Sequence, residues 1–83
     1  VVDVKEEIAS LLHKVLSIMH FLSAVSADRA VDANEIASHA RPLEKSQVED
    51  ALRYCKDLGY VNENRGRFYL TYKGVLSVLS ISS

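Results

Sequence analysis

Apolar residues recur at alternating steps of four and three from the start of the chain: Val4, Ile8, Leu11, Val15, Ile18, Leu22 and Val25. That spacing is one continuous stripe on a helix. Leu12, Leu16 and Met19 form a second row beside it, and Phe21 widens the apolar arc. No proline or glycine interrupts the run, so the pattern predicts a helix of about 22 residues, about 33 Å long at about 1.5 Å per residue. Ser10, His13, Ser17 and His20 fall on the remaining polar strip. A helix this apolar must be covered on more than one side, either by the rest of its own domain or by a second copy. The expectation is a homodimer through the N-terminal helix, with the segment Val75 to Ile81 contributing.

Beyond the helix, residues 26–31 read as a connector with a short strand at Ala30-Val31. Asp32-Ala-Asn-Glu35 has the capping-box spacing and opens a short helix, Ala33 to His39, with Ile36 and Ala37 turned inward. Arg41-Pro42 closes it, because the residue before a proline avoids the helical region. A third helix is expected from Leu43 or Glu44 to Leu58, with Val48, Ala51, Leu52, Cys55 and Leu58 on its inner row and Gly59 as a left-handed cap. Tyr60-Val-Asn and Arg67-Phe-Tyr-Leu70 read as strands, joined by Glu63-Asn-Arg-Gly66 in hairpin chemistry. Thr71 is placed to cap a final helix, Tyr72 to Ile81. The predicted fold is mainly α with a small β-hairpin, in one domain over residues 1–83. It comprises a long N-terminal helix (1–25), a helix-turn-helix (32–58), a hairpin (60–70) and a C-terminal helix (71–81).

This order of elements resembles the winged helix-turn-helix superfamily of transcription regulators over residues 14–74. The most specific piece is Asp57-Leu-Gly-Tyr-Val61 followed by Arg67-Phe-Tyr-Leu-Thr-Tyr-Lys-Gly74. It is similar to the ending of MarR-like and small archaeal winged-helix proteins. The resemblance implies a transcription regulator, or the DNA-binding part of a replication or transcription assembly, with double-stranded DNA as its partner. It also implies a geometry in which the third helix enters the major groove and the hairpin, or wing, flanks the backbone or minor groove.

With its apolar row turned inward, the third helix shows Ser46, Asp50, Arg53 and Asp57 outward. Glu49 stands beside that row, Lys45 and Lys56 flank it, and Gln47 and Tyr54 lie to the other side. Ser46, Gln47, Glu49 and Arg53 are the candidates for base edges, since Arg reads guanine and Glu accepts from cytosine. The same spacing supports the opposite reading. Arg53 lies three or four residues from Glu49, Asp50 and Asp57, the distances at which charged side chains pair on a helix, and three carboxylates repel phosphate. On the wing, Arg65 and Arg67 bracket Gly66, with Lys73, Asn62 and Asn64 close in sequence, so that they could grip phosphates or a minor groove. Arg41, between the second and third helices, is a further phosphate candidate. A second function stays open: a protein-docking module whose acidic third helix meets a basic partner.

Charge keeps both readings in play. The formal net charge is −1, whereas a dedicated DNA coater is usually basic. Residues 1–40 hold three basic and six acidic groups, and residues 41–83 hold seven and five. Eighty-three residues leave little room for an active-site cavity, and the chain has no phosphate-binding glycine loop and no triad-like set. No enzyme and no cofactor are expected. His13, His20 and His39 do not converge at metal-ligand spacing, so no zinc site is expected. Cys55, the single cysteine, rules out an internal disulfide and fits a reducing, cytoplasmic setting. The longest apolar tract, Val15 to Val25, is broken by Ser17, His20 and Ser23, so no membrane span is expected, and the chain has no basic-then-apolar start of the signal-peptide kind.

Overall fold

The computed structural model describes residues 4–82, with side chains from residue 8 to residue 80. Helix α1 (Val4–Phe21) is followed by a single 3₁₀ turn (Ala27–Arg29), then α2 (Ala33–His39) and α3 (Lys45–Asp57). The hairpin strands β1 (Val61–Asn64) and β2 (Arg67–Leu70) follow, and α4 (Tyr72–Ser82) ends the fold. The architecture is therefore mainly helical with one two-stranded antiparallel hairpin. No described helix is long and apolar enough to cross a membrane.

The apolar pattern predicts that α1 runs on to Val25, but it ends at Phe21. Backbone geometry stops it. Ser23 takes a left-handed φ of 60°, its N–H donates to the His20 carbonyl at 3.0 Å, and the Ala24 N–H donates to the Met19 carbonyl at 3.0 Å. These are the two bonds of a Schellman closure, and the apolar pair that accompanies it, Met19 and Ala24, is fully buried. The same closure ends α3 where glycine announced it. Gly59 has φ 83°, its N–H reaches the Lys56 carbonyl at 3.1 Å, and the Tyr60 N–H reaches Cys55 at 2.9 Å.

The core forms where α1 meets α3. Leu12, Val15, Leu16 and Met19 of α1 are buried against Ile36 of α2, the Val48, Ala51, Leu52 and Cys55 row of α3, and the Val61–Leu70 pair at the base of the hairpin. Apart from fully buried Val15, the row that defines the stripe in the sequence is shallower: Ile8, Leu11, Ile18 and Leu22 are half-buried and pack on the flank of the same core. Since α1 touches α2, α3, α4 and β2, one chain covers most of both rows. Phe21 and Val25 remain exposed. The side chains of Val4 and Ile81, also expected on apolar faces, lie outside the described ones. Leu58, expected on the inner row of α3, is 46% exposed. The chain leaves the helix at this cap position, and Val61 takes the buried place.

The second strand is covered on its outer side. The Val31 and Phe68 backbones exchange bonds of 2.9 and 2.7 Å, and the Leu70 N–H donates to the Ala24 carbonyl at 2.7 Å. The strand expected at Ala30-Val31 is thus a single bridge at Val31.

Two outcomes follow from this packing. A serine at left-handed φ is strained where glycine is not, so Ser23→Gly should raise stability by up to about 1 kcal/mol. A urea midpoint that shifts upward with an unchanged slope is the check. Burial also pushes the Cys55 thiol from its ordinary 9.0 up to about 11. The folded value lies above the unfolded one, so this stability is whole below pH ~9 and is lost as pH rises toward about 11. Replacing Cys55 by Ala should flatten the alkaline limb of the stability–pH curve relative to the native chain.

Candidate nucleic-acid interface

The hairpin is tighter than its sequence suggests. Asn64 pairs with Arg67, leaving Arg65 and Gly66 as a two-residue turn with φ values of 54° and 78°. Two successive positive φ values make this the mirror-image turn whose twist matches that of the flanking strands. Gly66 fits at no cost, whereas Arg65 holds a left-handed conformation that costs a non-glycine residue about 1 kcal/mol. The pairing alternates faces. Asn62, Asn64, Arg67 and Tyr69 share one, and Val61, Glu63, Phe68 and Leu70 share the one toward α3. Arg65 and Arg67 are exposed, and among the described residues neither has a carboxylate within ion-pair distance.

Lys73 does not join them. Its Nζ donates to the Leu58 carbonyl at 2.9 Å and lies 5.0 Å from the centroid of the Tyr60 ring. There the ammonium meets the negative end of α3. Around it the Leu-Thr-Tyr-Lys-Gly segment clasps the end of that helix. The Thr71 N–H donates to the Tyr60 carbonyl at 2.9 Å. The Thr71 hydroxyl donates to the Gly59 carbonyl at 2.6 Å and accepts from the Gly74 N–H at 3.1 Å, which caps α4. Gly74 is buried so close to the Tyr60 carbonyl that a Cβ there would collide with it.

Part of the outward face of α3 is engaged by neighbouring groups. Gln47, a base-reading candidate, accepts from the Glu44 N–H at 2.8 Å and so caps the helix. Arg53 selects Asp50 from its three nearby carboxylates, at 3.5 Å. Lys56 reaches Glu63 on β1 at 3.0 Å. That pair ties α3 to the hairpin across a shallow groove of about 270 Å³, lined by Glu49, Arg53, Lys56, Glu63 and Phe68. Glu63 is the member that sequence reasoning missed, because helix spacing says nothing about a carboxylate beyond the turn. Lys45 and Ser46, in the first turn of α3, and Arg41, in the preceding turn, are exposed. Asp32 caps α2 by accepting from the Glu35 N–H at 2.8 Å.

Among the described residues no group of three His, Cys, Asp or Glu side chains could hold a metal ion. No protein-family model and no solved structure matches the chain.

The clasp sets a contrast that can be measured. Gly74→Ala should cost about 1–3 kcal/mol, since backbone must move to admit the methyl group. Lys73→Met, at a solvated rim, should cost under about 1 kcal/mol. Urea unfolding of both variants checks the order, and a Lys73 variant that is the more damaging of the two would contradict this geometry.

Proposed function

We propose that the chain is a DNA-binding winged-helix module, a transcription regulator or the DNA-binding part of a replication or transcription assembly, that holds duplex DNA through its wing. In this reading the β1–β2 hairpin is the wing, and α2, the turn and α3 are the helix-turn-helix. One observation carries it: Arg65 and Arg67 stand exposed at the hairpin tip without a counter-ion among the described residues, while Arg53 and Lys56 are held by Asp50 and Glu63. Unpaired guanidinium groups on a protruding turn suit phosphate and minor-groove contact. Arg41, Lys45 and Ser46 are exposed and add candidate phosphate contacts. Base reading by Gln47 and Arg53 has less support, because one caps a helix and the other faces a carboxylate. The buried Cys55 thiol goes with a reducing, cytoplasmic setting.

A second reading keeps α3 for a basic protein partner. It is favoured by Glu49 and Asp57, which have no cation within ion-pair distance among the described residues.

The test is a duplex titration across a salt series with the Arg65→Asn, Arg67→Gln double variant. Asparagine tolerates the left-handed turn, so charge is removed without disturbing the hairpin. Affinity should fall for every duplex sequence, and the slope of log K against log salt should flatten by about 0.9 for each lost phosphate contact. Unchanged binding would remove the wing from the mechanism. The Glu49→Gln, Asp50→Asn variant separates the two faces: DNA affinity that rises on loss of these charges brings α3 to the duplex as well. A native chain that binds no duplex at low salt overturns the DNA reading and leaves the docking one.

A further inference from the structure

Lys56 and Glu63 come from different elements and meet across the groove between α3 and the hairpin, Nζ to Oε1 at 3.0 Å. The charged lining of that groove is balanced: Arg53 and Lys56 stand against Glu49 and Glu63, with Phe68 beside them. Glu63 lies on the hairpin face that turns toward α3, two residues before Arg65. Lys56 follows Arg53 by three positions on α3. Its ammonium thus joins the outward face of the helix to the strand that leads into the arginine-bearing tip.

We propose that this groove is a phosphate site masked by the chain's own carboxylate, in which Glu63 takes the place of a phosphodiester oxygen on Lys56 and so holds duplex affinity down. The inference rests on the DNA reading: a duplex held at the wing comes within reach of a cation anchored to the same strand. A carboxylate and a phosphodiester offer an ammonium the same kind of acceptor, a charged oxygen at about 2.7–2.9 Å. Glu63 is tethered, so it reaches Lys56 without the loss of translational freedom that a separate ligand incurs.

The pair is not needed as a brace. The Thr71 N–H on the Tyr60 carbonyl, the close approach of Gly74 and the buried Val61–Leu70 pair already hold the hairpin against the end of α3. Nor is the pair strong. Its side chains are 51% and 37% exposed, and an exposed ion pair shifts an equilibrium by about fivefold at most. Its main consequence is therefore electrostatic: it removes one cation from those a phosphate backbone would meet. Removing Glu63 alone turns a balanced groove into one with an excess positive charge.

The test is a duplex titration of the native chain and Glu63→Gln between about 50 and about 200 mM salt, repeated in a Lys56→Gln background. Glu63→Gln should bind every duplex sequence at least threefold more tightly at the low end. Its slope of log K against log salt should steepen by about 0.9, one added phosphate contact, so that the advantage shrinks about 3.5-fold across the series. In the Lys56→Gln chain the same substitution should leave the slope unchanged, because the cation it would release is gone. Circular dichroism should stay native throughout, since both side chains are at the surface. A native chain that binds, with Glu63→Gln no tighter, overturns the mask and leaves the wing reading standing. So does an equal steepening in the Lys56→Gln background, which would make Glu63 a general repulsive charge. Absence of binding by the native chain and by Glu63→Gln alike overturns the DNA reading and the mask together.

Discussion

The Tyr60 carbonyl is the point at which the two closing segments of the chain meet. It accepts the Thr71 N–H, and Gly74 packs so closely that no side chain fits between them. The Thr71 hydroxyl then links Gly59 to the first turn of α4. The end of α3, the base of the hairpin and the start of α4 are therefore one rigid corner. Each hydrogen bond is worth about 1 kcal/mol net, a large share for a domain of this size, whose whole stability is about 4–12 kcal/mol. The buried Val61–Leu70 pair sits at the same corner, so the direction in which the arginine-bearing tip projects is set by the corner and not by the strands alone.

That rigidity decides how the charges are used. Lys73 and Gln47 serve the ends of α3, and Lys56 fastens α3 to β1. These side chains look outward on a helical wheel, yet their polar ends are engaged at home. The exposed Arg53–Asp50 contact is long and worth little energetically, but it still lowers the positive potential a phosphate would meet. Among the described residues of the second half of the chain, the cations left without an ion pair or carbonyl partner are Arg65 and Arg67 at the hairpin tip and Arg41 and Lys45 around the start of α3. The mild excess of basic groups in the second half of the chain therefore becomes local and directional only once the fold has consumed part of it.

Most of this architecture was legible because the helix ends are written in residue types. Asp32, Gly59 and Thr71 cap or close the elements their positions foretold, and the buried row of α3 follows its apolar spacing up to Cys55. The end of α1 was hidden. Ser23 adopts the conformation that usually calls for glycine, and the apolar period runs straight through it. The candidate site was less legible for a related reason. A wheel tells which way a residue points but not whom it meets, and the partners of Lys56 and Lys73 lie 7 and 15 residues away. The depth of the two α1 rows likewise depends on where α3 and α4 dock, which periodicity within α1 cannot encode.

The covered outer side of β2 limits how copies of this chain can adhere to one another. With Ala24 and Val31 occupying that side, the hairpin is open to strand addition only along β1. Register leaves just the backbone groups of Val61 and Glu63 facing outward there, beside a carboxylate of the kind that discourages an incoming strand. Growth by edge-to-edge stacking, the route to fibres, thus has a footing of two residues. A chain that exposes apolar side chains such as Phe21 and Val25 still needs protection against runaway polymerisation, and here the connector before α2 supplies much of it.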